Sequence, residues 1–328
     1  MTTRRYVLFW LTVVLSMPYA PSAAQTRNGF DLAGARVPIH EILPGGPPRD
    51  GIPAIDRPRF IAAAKAFFLS DHDRVLGIVR HGIAKAYPVK ILNWHEIVND
   101  QFANEAIVVT YCPLCGTGMA FRPPPGGPRS FGVSGLLYNS DLLLYDRRTE
   151  SLWSQIDGRA IAGPLRDQTL VMVPVHHTSW KDWHRQHPRT LVLSTETGFH
   201  RDYNHSPYEN HDRSAELYFP VSHQDRRFHP KSRVLGVNLN GQYKAYPFSE
   251  LARTETPLRD KVGETPIIIH FNRSGQSAFI TDPDGTVIPS LTAFWFAWIA
   301  FHPDSDVFVA TPTAEERPPR DNRRLLRH

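Results

Sequence analysis

The stretch Arg74-Val-Leu-Gly-Ile-Val-Arg-His-Gly-Ile-Ala-Lys-Ala-Tyr-Pro88 occurs twice in this chain, in closely related form. The second copy reads Arg233-Val-Leu-Gly-Val-Asn-Leu-Asn-Gly-Gln-Tyr-Lys-Ala-Tyr-Pro247. Each copy has two apolar, β-branched runs separated by a glycine turn, at His81-Gly82 or Asn240-Gly241. That pattern is typical of a β-hairpin, and Asn-Gly is a strong hairpin signal.

The identities continue after the hairpins. Asp100 is matched by Asp260, and a Trp-x-x-x-His-Pro element occurs at Trp183–Pro188 and again at Trp298–Pro303. So many identities in one order indicate an internal duplication. Several further strand patterns and a few short helices accompany them. The sequence therefore predicts a β-rich α+β fold with two related lobes, of which the second is shortened.

The chain divides into five segments on this interpretation. They are a signal peptide at residues 1–24, an N-terminal arm at 25–70, a first lobe at 71–230, a second lobe at 231–312, and a basic, disordered tail at 313–328.

The first segment has the pattern of a secretory signal. Arg4 and Arg5 precede an apolar run, Tyr6–Met17, and small residues follow up to Ala24. The run is too short for a membrane-spanning helix, which needs about 20 residues. We expect a periplasmic or secreted protein that does not span the membrane after cleavage; an uncleaved N-terminal anchor is the alternative.

Composition and motifs exclude several classes of function. The formal net charge is +5, from 37 basic and 32 acidic residues, which is too small to indicate nucleic-acid binding. No phosphate loop or dinucleotide fingerprint occurs, so no nucleotide cofactor is expected. No serine-hydrolase elbow or zinc-protease motif occurs either. Whether the protein is an enzyme, and what its partners are, the sequence leaves open.

The two cysteines of the chain, Cys112 and Cys115, lie in Thr110-Tyr-Cys-Pro-Leu-Cys-Gly-Thr-Gly118. Apolar runs on both sides predict a strand, a tight turn and a second strand. Two cysteines are too few for a disulfide scaffold, and a disulfide across so short a loop would stabilise little. Metal binding or thiol redox chemistry is therefore favoured over a structural role.

His95, in Asn93-Trp-His-Glu96, is the best third ligand that the sequence offers. The second copy has no histidine near the matching position, Thr254, and it also lacks the cysteines. Two thiolates with one imidazole suit copper or zinc, and an oxidising compartment favours copper(I). The prediction is a metal site formed by Cys112, Cys115 and His95.

Two other functions remain open for the cysteines. One is a periplasmic thiol-disulfide oxidoreductase, although Gly116-Thr-Gly118 is poor helix sequence and such enzymes place the first cysteine at a helix start. The other is a non-catalytic ligand-binding or scaffold protein. Polar residues that could line a pocket, or serve only as turn and buried hydrogen-bonding groups, are Asn139, Asp141, Arg147, Trp153, Arg201 and Tyr203.

Several long motifs resemble one known family. They include Leu92-Asn-Trp-His-Glu-Ile-Val-Asn-Asp100, the cysteine motif Thr110–Gly118, Asn139-Ser-Asp141 and Thr149-Glu-Ser-Leu-Trp-Ser-Gln155. Together with downstream matches, they are similar to the family catalogued as domain of unknown function 3179. The resemblance extends over nearly the whole chain after the signal segment. It implies no particular activity, so the chemistry has to be argued from the residues.

Overall fold

The computed structural model describes residues 25–311, and these residues are mostly β-structure. About 40% of residues are in strands and 12% in helices. The predicted signal peptide, 1–24, and the predicted tail, 313–328, lie outside the described residues.

The strands follow one another with short connections. They are β1 (Thr26–Arg27), β2 (Phe30–Asp31), β3 (Ile42–Pro44), β4 (Phe60–Ala62), β5 (Arg74–Arg80), β6 (Ile83–Pro88), β7 (Ile97–Phe102), β8 (Glu105–Cys112), β9 (Thr117–Arg122), β10 (Phe131–Tyr138), β11 (Asp141–Asp146), β12 (Leu152–Ser154), β13 (Arg159–Ala162), β14 (Val171–Val173), β15 (His176–Ser179), β16 (Leu191–Leu193), β17 (Arg233–Leu239), β18 (Gln242–Pro247), β19 (Leu258–Val262), β20 (Thr265–Asn272), β21 (Ser277–Thr281), β22 (Val287–Ile288), β23 (Leu291–Phe294) and β24 (Asp306–Val307).

The helices are short connectors between strands. The α-helices are α1 (Val89–His95), α2 (Trp180–Gln186), α3 (Phe248–Leu251) and α4 (Trp295–Phe301), and the 3-10 helices are Ile39–Glu41, Ala63–Lys65 and His211–Arg213. None of the helices within residues 25–311 is long and apolar enough to cross a membrane.

Five sheets of four or five strands are arranged as the blades of a five-bladed β-propeller. In spatial order the strands are β15-β5-β6-β16-β4 in blade 1, β14-β9-β8-β7 in blade 2, β13-β12-β11-β10-β3 in blade 3, β23-β17-β18-β24 in blade 4 and β19-β20-β21-β22 in blade 5. The segment 25–70 contributes β3 to blade 3 and β4 to blade 1.

This arrangement corrects the predicted α+β fold with two lobes. The helices have only four to seven residues each and form no layer of their own. The two halves of the chain also interlock instead of forming separate cores. Phe294 of blade 4 donates its N–H to Cys115 beside blade 2, and Arg74 of blade 1 donates to Gly275 beside blade 5. The fold is a mostly β ring of blades.

The repeated hairpins form corresponding parts of blades 1 and 4. In both hairpins the valine after the arginine pairs with the proline, as Val75↔Pro88 and Val234↔Pro247. The glycine three residues after each repeated arginine, Gly77 or Gly236, lies within a strand and against a tryptophan of the Trp-x-x-x-His-Pro element. A Cβ on Gly77 would be 2.3 Å from Trp183, and one on Gly236 would be 2.0 Å from Trp298. The glycines are needed because the indole rings occupy the side-chain space.

The repeated Lys-Ala-Tyr segment links each hairpin blade to the blade that follows it. Lys85 is 2.7 Å from Asp100 at the start of blade 2, and Lys244 is 2.7 Å from Asp260 at the start of blade 5. Tyr87 and Tyr246 donate to the same two carboxylates. Blades 1 and 2 are therefore joined in the same way as blades 4 and 5, and the sequence repeat corresponds to these two pairs of blades.

Candidate metal centre

The Cys112–Cys115 turn joins the two central strands of blade 2. Cys112 ends β8 and pairs with Thr117 at the start of β9. Gly116 has a left-handed backbone, with φ of 59°, and a Cβ there would be 2.8 Å from the Phe294 ring. The Phe294 N–H donates to the Cys115 carbonyl at 2.8 Å. Blade 4 therefore holds the cysteine turn in place, and the predicted strand–turn–strand is found.

A second hairpin turn, in blade 3, faces the cysteines. Asn139 and Ser140 connect β10 to β11 with φ of 51° and 65°, which is the geometry of a two-residue primed turn. The Ser140 carbonyl accepts from the sulfurs of Cys112 and Cys115, at 3.8 and 3.3 Å. The turn is anchored because Asn139 donates to Ala300 and accepts from Ser222. It fixes the position of the next residue, Asp141.

Asp141 joins the two cysteines in a compact group of three. One ligand atom from each of Cys112, Cys115 and Asp141 lies within 4.8 Å of the other two, and all three residues are buried. Asp141 Oδ2 accepts from the Ile156 N–H at 3.1 Å. Asp141 Oδ1 is buried and has no partner of regular hydrogen-bond geometry within residues 25–311, although the thiols of Cys112 and Cys115 lie close enough to donate weakly to this carboxyl. The group thus contains two thiols and one buried oxygen without a partner.

Burial raises the pKa of all three groups and so favours their neutral, protonated forms. It raises the pKa of Asp141 to about 7, and it raises the pKa of the Cys112 thiol. Burial, and then the neighbouring thiol of Cys112, raise the pKa of Cys115 further. Because these groups would repel one another when ionised, a cation between them would stabilise all three charges at once.

Glu96 adds a second buried carboxyl near the group. Burial raises its pKa to about 8, and the charge of Asp141 raises it further, while a hydrogen bond with Tyr208 lowers it. Glu96 also has a left-handed backbone, with φ of 57°, at the end of α1. The sequence had given it no clear role. The burial of Glu96 and its positive φ angle could not be predicted from the sequence.

Gln155 is a further buried group beside the cysteine turn. Its Nε2 donates to Thr110 at 2.8 Å and to the Thr117 carbonyl at 3.3 Å, and both partners belong to the strands that carry the turn. Its Oε1 is buried and has no hydrogen-bond partner within the described chain. Asp141 and Gln155 therefore both bring an unpartnered oxygen to this part of the molecule.

The segment 195–232, which connects blade 1 to blade 4, covers the centre. Tyr208 hydrogen-bonds to Glu96, and His211 donates to the Leu114 carbonyl at 3.0 Å, inside the cysteine turn. Lys231 lies near enough to Cys115 for a thiolate there to raise the pKa of the lysine, although burial lowers that pKa overall. These covering residues have no recognisable spacing relative to the cysteines, so sequence reasoning missed them.

The structure does not bring His95 into this group. Its Nδ1 donates to the Pro53 carbonyl at 2.8 Å, and its Nε2 accepts from the Tyr203 hydroxyl at 2.7 Å. Burial lowers the pKa of His95 and favours the neutral ring. Since both ring nitrogens are engaged, neither offers a free lone pair to a metal. The third residue of the compact group is an aspartate from blade 3, and the predicted histidine lies outside that group.

The other predicted pocket residues lie at separate places. Trp153 is buried and donates to Asp146 at 3.2 Å, which is a structural contact. Arg147 donates to the Tyr145 hydroxyl at 2.8 Å. Arg201 and Tyr203 line an open cavity of about 630 Å³. Asn139 supports the turn before Asp141. Of the six residues, Asp141 alone belongs to the compact group with the cysteines.

Comparison with known proteins adds a family and no activity. Neither the curated proteins nor the solved structures give a significant match. The family model described as protein of unknown function (DUF3179) matches residues 49–305, which include the cysteine turn, Asp141 and all five blades' central strands. Because that match covers more than half of the chain, the protein belongs to the DUF3179 family.

Proposed function

We propose that this is an exported metal-binding protein, in which Cys112, Cys115 and Asp141 bind one zinc or copper ion. The observation that carries the proposal is the buried group of two thiols and a carboxylate, with its unpartnered Oδ1. A buried polar atom without a partner is rare and costs free energy, so an absent ligand is a natural explanation.

The spacing of the group fits a small ion. Zinc–sulfur bonds are about 2.3 Å and zinc–oxygen bonds about 2.0–2.2 Å, so ligand atoms around one tetrahedral ion are roughly 3.5–4 Å apart. The three atoms here lie within 4.8 Å of one another. A contraction of up to about 1.3 Å would therefore bring the three atoms to these distances.

The ligand chemistry favours zinc over copper(I). Zinc accepts thiolate and carboxylate ligands together, whereas copper(I) prefers soft ligands. A carboxylate in place of the expected imidazole shifts the balance towards zinc. Three protein ligands leave one tetrahedral position for water, for another side chain or for a bound molecule.

The raised thiol pKa supports metal binding more than thiol redox chemistry. An oxidoreductase needs a thiolate at neutral pH, and burial keeps both of these thiols protonated in the metal-free chain. The cysteines also lie in a turn between strands and not at a helix start. Export rests on the N-terminal sequence pattern, Arg4 to Ala24, and places the protein in the periplasm or outside the cell.

Cobalt substitution tests this proposal directly. The reduced, metal-free chain is titrated with Co²⁺, and the sulfur-to-cobalt charge-transfer absorption reports thiolate ligation. We expect saturation at one Co²⁺ per chain and displacement by an equal amount of Zn²⁺. Cys112→Ser and Cys115→Ser should each lose most of the charge-transfer intensity. Absence of such a band in the wild-type chain, with both thiols reduced, would rule the site out.

A further inference from the structure

Two arginines at equivalent places in the repeat, Arg74 and Arg233, both act through their charges on Tyr111 and on His177. Arg74 is the first residue of β5 and Arg233 the first residue of β17. The two strands have matching registers in blades 1 and 4. Neither arginine forms an ion pair with an acidic residue among the described positions, although most other buried or half-buried basic groups in the fold do so.

The guanidinium of Arg74 is held by backbone groups alone. Its Nη1 donates to the Gly275 carbonyl and its Nη2 to the His177 carbonyl, both at 2.6 Å. Its Nε is buried and has no partner within residues 25–311. Burial, and then the charge of Arg233, lower the pKa of Arg74 to about 9. A buried cation is thus left next to a second cation.

Arg233 differs from Arg74, whose guanidinium is held by two backbone carbonyls. Its side chain makes no hydrogen bond or ion pair with any described residue, and it is only half-buried. Its backbone pairs with Phe294, whose N–H donates to Cys115, so it lies beside the end of β8. Its charge acts on both Tyr111 and His177, since it lowers the pKa of each. The guanidinium is therefore available to a ligand at this place.

Tyr111 and His177, on which the charges of both arginines act, carry two more polar atoms without partners among the described residues. The rings of Tyr111 and His177 pack edge to face, with centroids 6.1 Å apart. His177 Nδ1 is buried and unpartnered, and the Tyr111 hydroxyl makes no hydrogen bond with the described part of the chain. Burial lowers the pKa of His177, so it is a neutral ring at neutral pH. Asp182, the acid whose charge acts on Arg74, is already bonded to Ser179, Arg185 and Asn272.

We propose that a small oxyanion or carboxylate binds between Arg74 and Arg233, with Tyr111 and His177 as further hydrogen-bonding groups. Paired guanidinium groups are well suited to carboxylate and to tetrahedral oxyanions, which they bind through charge-assisted hydrogen bonds. A single negative charge would relieve the repulsion between the two arginines and satisfy the buried Nε. The proposal is independent of the metal centre, because none of its four groups is a proposed ligand.

A cleft between blades 1 and 5 offers a route for a small ligand. It has a volume of about 220 Å³, and its lining includes His177, Asn272 and Ser277. Arg74 bonds to His177 and to Gly275, which lies between Asn272 and Ser277 in the turn joining β20 to β21. The arginine is thus attached to both walls of the cleft. Its size fits an ion or a compound of a few heavy atoms, and it excludes a polymer.

The test compares anion binding by two arginine variants. Sulfate and acetate are titrated separately into the full chain, kept metal-free with a chelator, against chloride at equal ionic strength. Binding is measured by calorimetry and by thermal unfolding. Arg233→Gln is the informative variant because the Arg233 side chain makes no hydrogen bond or ion pair with the described residues, so the substitution breaks no such contact. Arg189→Gln is the matched control, since Arg189 is exposed, has no ion pair and lies away from the cluster.

We expect one of the two anions to bind saturably and to raise the unfolding temperature of the wild-type chain and of Arg189→Gln. Arg233→Gln should bind it at least about ten-fold more weakly, as expected for the loss of a charged hydrogen bond. Without added anion, Arg233→Gln should unfold at a higher temperature than wild type, because one of two like charges is gone. Preference for acetate would identify a carboxylate ligand, and preference for sulfate a tetrahedral oxyanion.

Two results would overturn the proposal. One is that sulfate and acetate affect the wild-type chain no more than chloride does at the same ionic strength. The other is that Arg233→Gln binds the anion within about two-fold of wild type, which would place the ligand elsewhere. A fall in affinity shared equally by Arg189→Gln would show a general effect of net charge and would count against the site as well.

Discussion

Asp141 Oδ2 accepts a backbone hydrogen bond whereas its buried Oδ1 has no regular one, and this distinguishes Asp141 from Asp146. Asp146, at the opposite end of the same strand, accepts from Arg148, Thr149 and Trp153 and has no free oxygen. Both residues are buried in blade 3. Both carboxylate oxygens of Asp146 therefore accept hydrogen bonds, whereas Oδ1 of Asp141 has no regular hydrogen bond.

The two acids give a matched test of the ligand assignment. Asp141→Asn removes a charged ligand and should weaken Zn²⁺ binding by about 10–100-fold or more, because amide oxygens are poor zinc ligands. Asp146→Asn should leave Zn²⁺ affinity within about three-fold of wild type while lowering the free energy of unfolding, since it disturbs a satisfied network. Competition with a chelating dye measures both affinities. Equal losses in the two variants would contradict the assignment.

At the residue scale, the sequence could identify the cysteines but not their third partner. Cys112 and Cys115 stand out because they are the chain's two cysteines and share one turn. Asp141 belongs to another hairpin, and nothing in Asn139-Ser-Asp141 differs from ordinary turn chemistry. His95 was a reasonable inference from its absence in the second copy. It was misplaced because the comparison of copies says nothing about what its ring nitrogens contact.

At the scale of elements, the two copies of the repeat place the same Lys–Asp ion pair in two environments that differ in burial. The side chains of Lys85 and Asp100 are 8% and 6% exposed, whereas those of Lys244 and Asp260 are 17% and 22% exposed. The ammonium of Lys85 also lies over the rings of Phe60 and Phe102. The Lys85–Asp100 pair is therefore more buried than the Lys244–Asp260 pair, although both pairs join neighbouring blades in the same way.

The difference in burial predicts unequal effects on stability. Asp100→Asn leaves a buried ammonium without its counter-ion and should reduce the free energy of unfolding by about 3–5 kcal/mol. Asp260→Asn should cost roughly 1–2 kcal/mol, because water can reach Lys244. Urea denaturation of the two single variants measures the difference. A larger loss for Asp260→Asn would mean that burial does not determine the strength of this link.

The hairpin glycines make a second prediction at this scale. In Gly77→Ala, the new methyl group meets the indole of Trp183 and should reduce the free energy of unfolding by about 1–3 kcal/mol. Val79→Ala, on the same strand at a position that is 45% exposed, is the control and should change it by about 0.5 kcal/mol or less. Equal effects of the two variants would show that the tryptophan can move aside freely.

The elements themselves were largely predictable, whereas their assembly was not. The hairpins follow from glycine turns and β-branched runs, and the Asn240-Gly241 turn is found where it was expected. The two-lobe prediction failed because identity between copies shows that two blades are alike, and it does not show which blades pack together. The contacts that join the two halves of the chain, such as Phe294 with Cys115 and Arg74 with Gly275, cannot be read from identities between the copies.

At the scale of the whole molecule, buried histidines should make stability depend on pH. Burial lowers the pKa of His176 and of His302 from 6.5 to about 4. His302 stacks on Tyr243, with ring centroids 4.2 Å apart. The folded state therefore binds fewer protons than the unfolded chain. Stability from these groups is complete above about pH 6.5 and is lost as the pH falls towards 4.

Each of the two histidines should contribute up to about 3 kcal/mol to this loss, given roughly 1.4 kcal/mol per pKa unit. Denaturant unfolding of the metal-free chain at several pH values between 7 and 4 measures it. His302→Phe keeps a ring against Tyr243 and removes the titrating group, so its stability should fall less steeply over the same range. An unchanged slope in this variant would show that His302 is not the source.

The metal content of the purified protein tests the central claim most directly. The full chain is expressed with its N-terminal segment, recovered under reducing conditions without chelators, and analysed for metals together with a count of free thiols. We expect about one zinc or copper ion per chain in the wild type, and less than about one tenth of that in Cys112→Ser and in Asp141→Asn. A wild-type chain with two free thiols and no stoichiometric metal would contradict the account, as would equal metal content in Cys112→Ser.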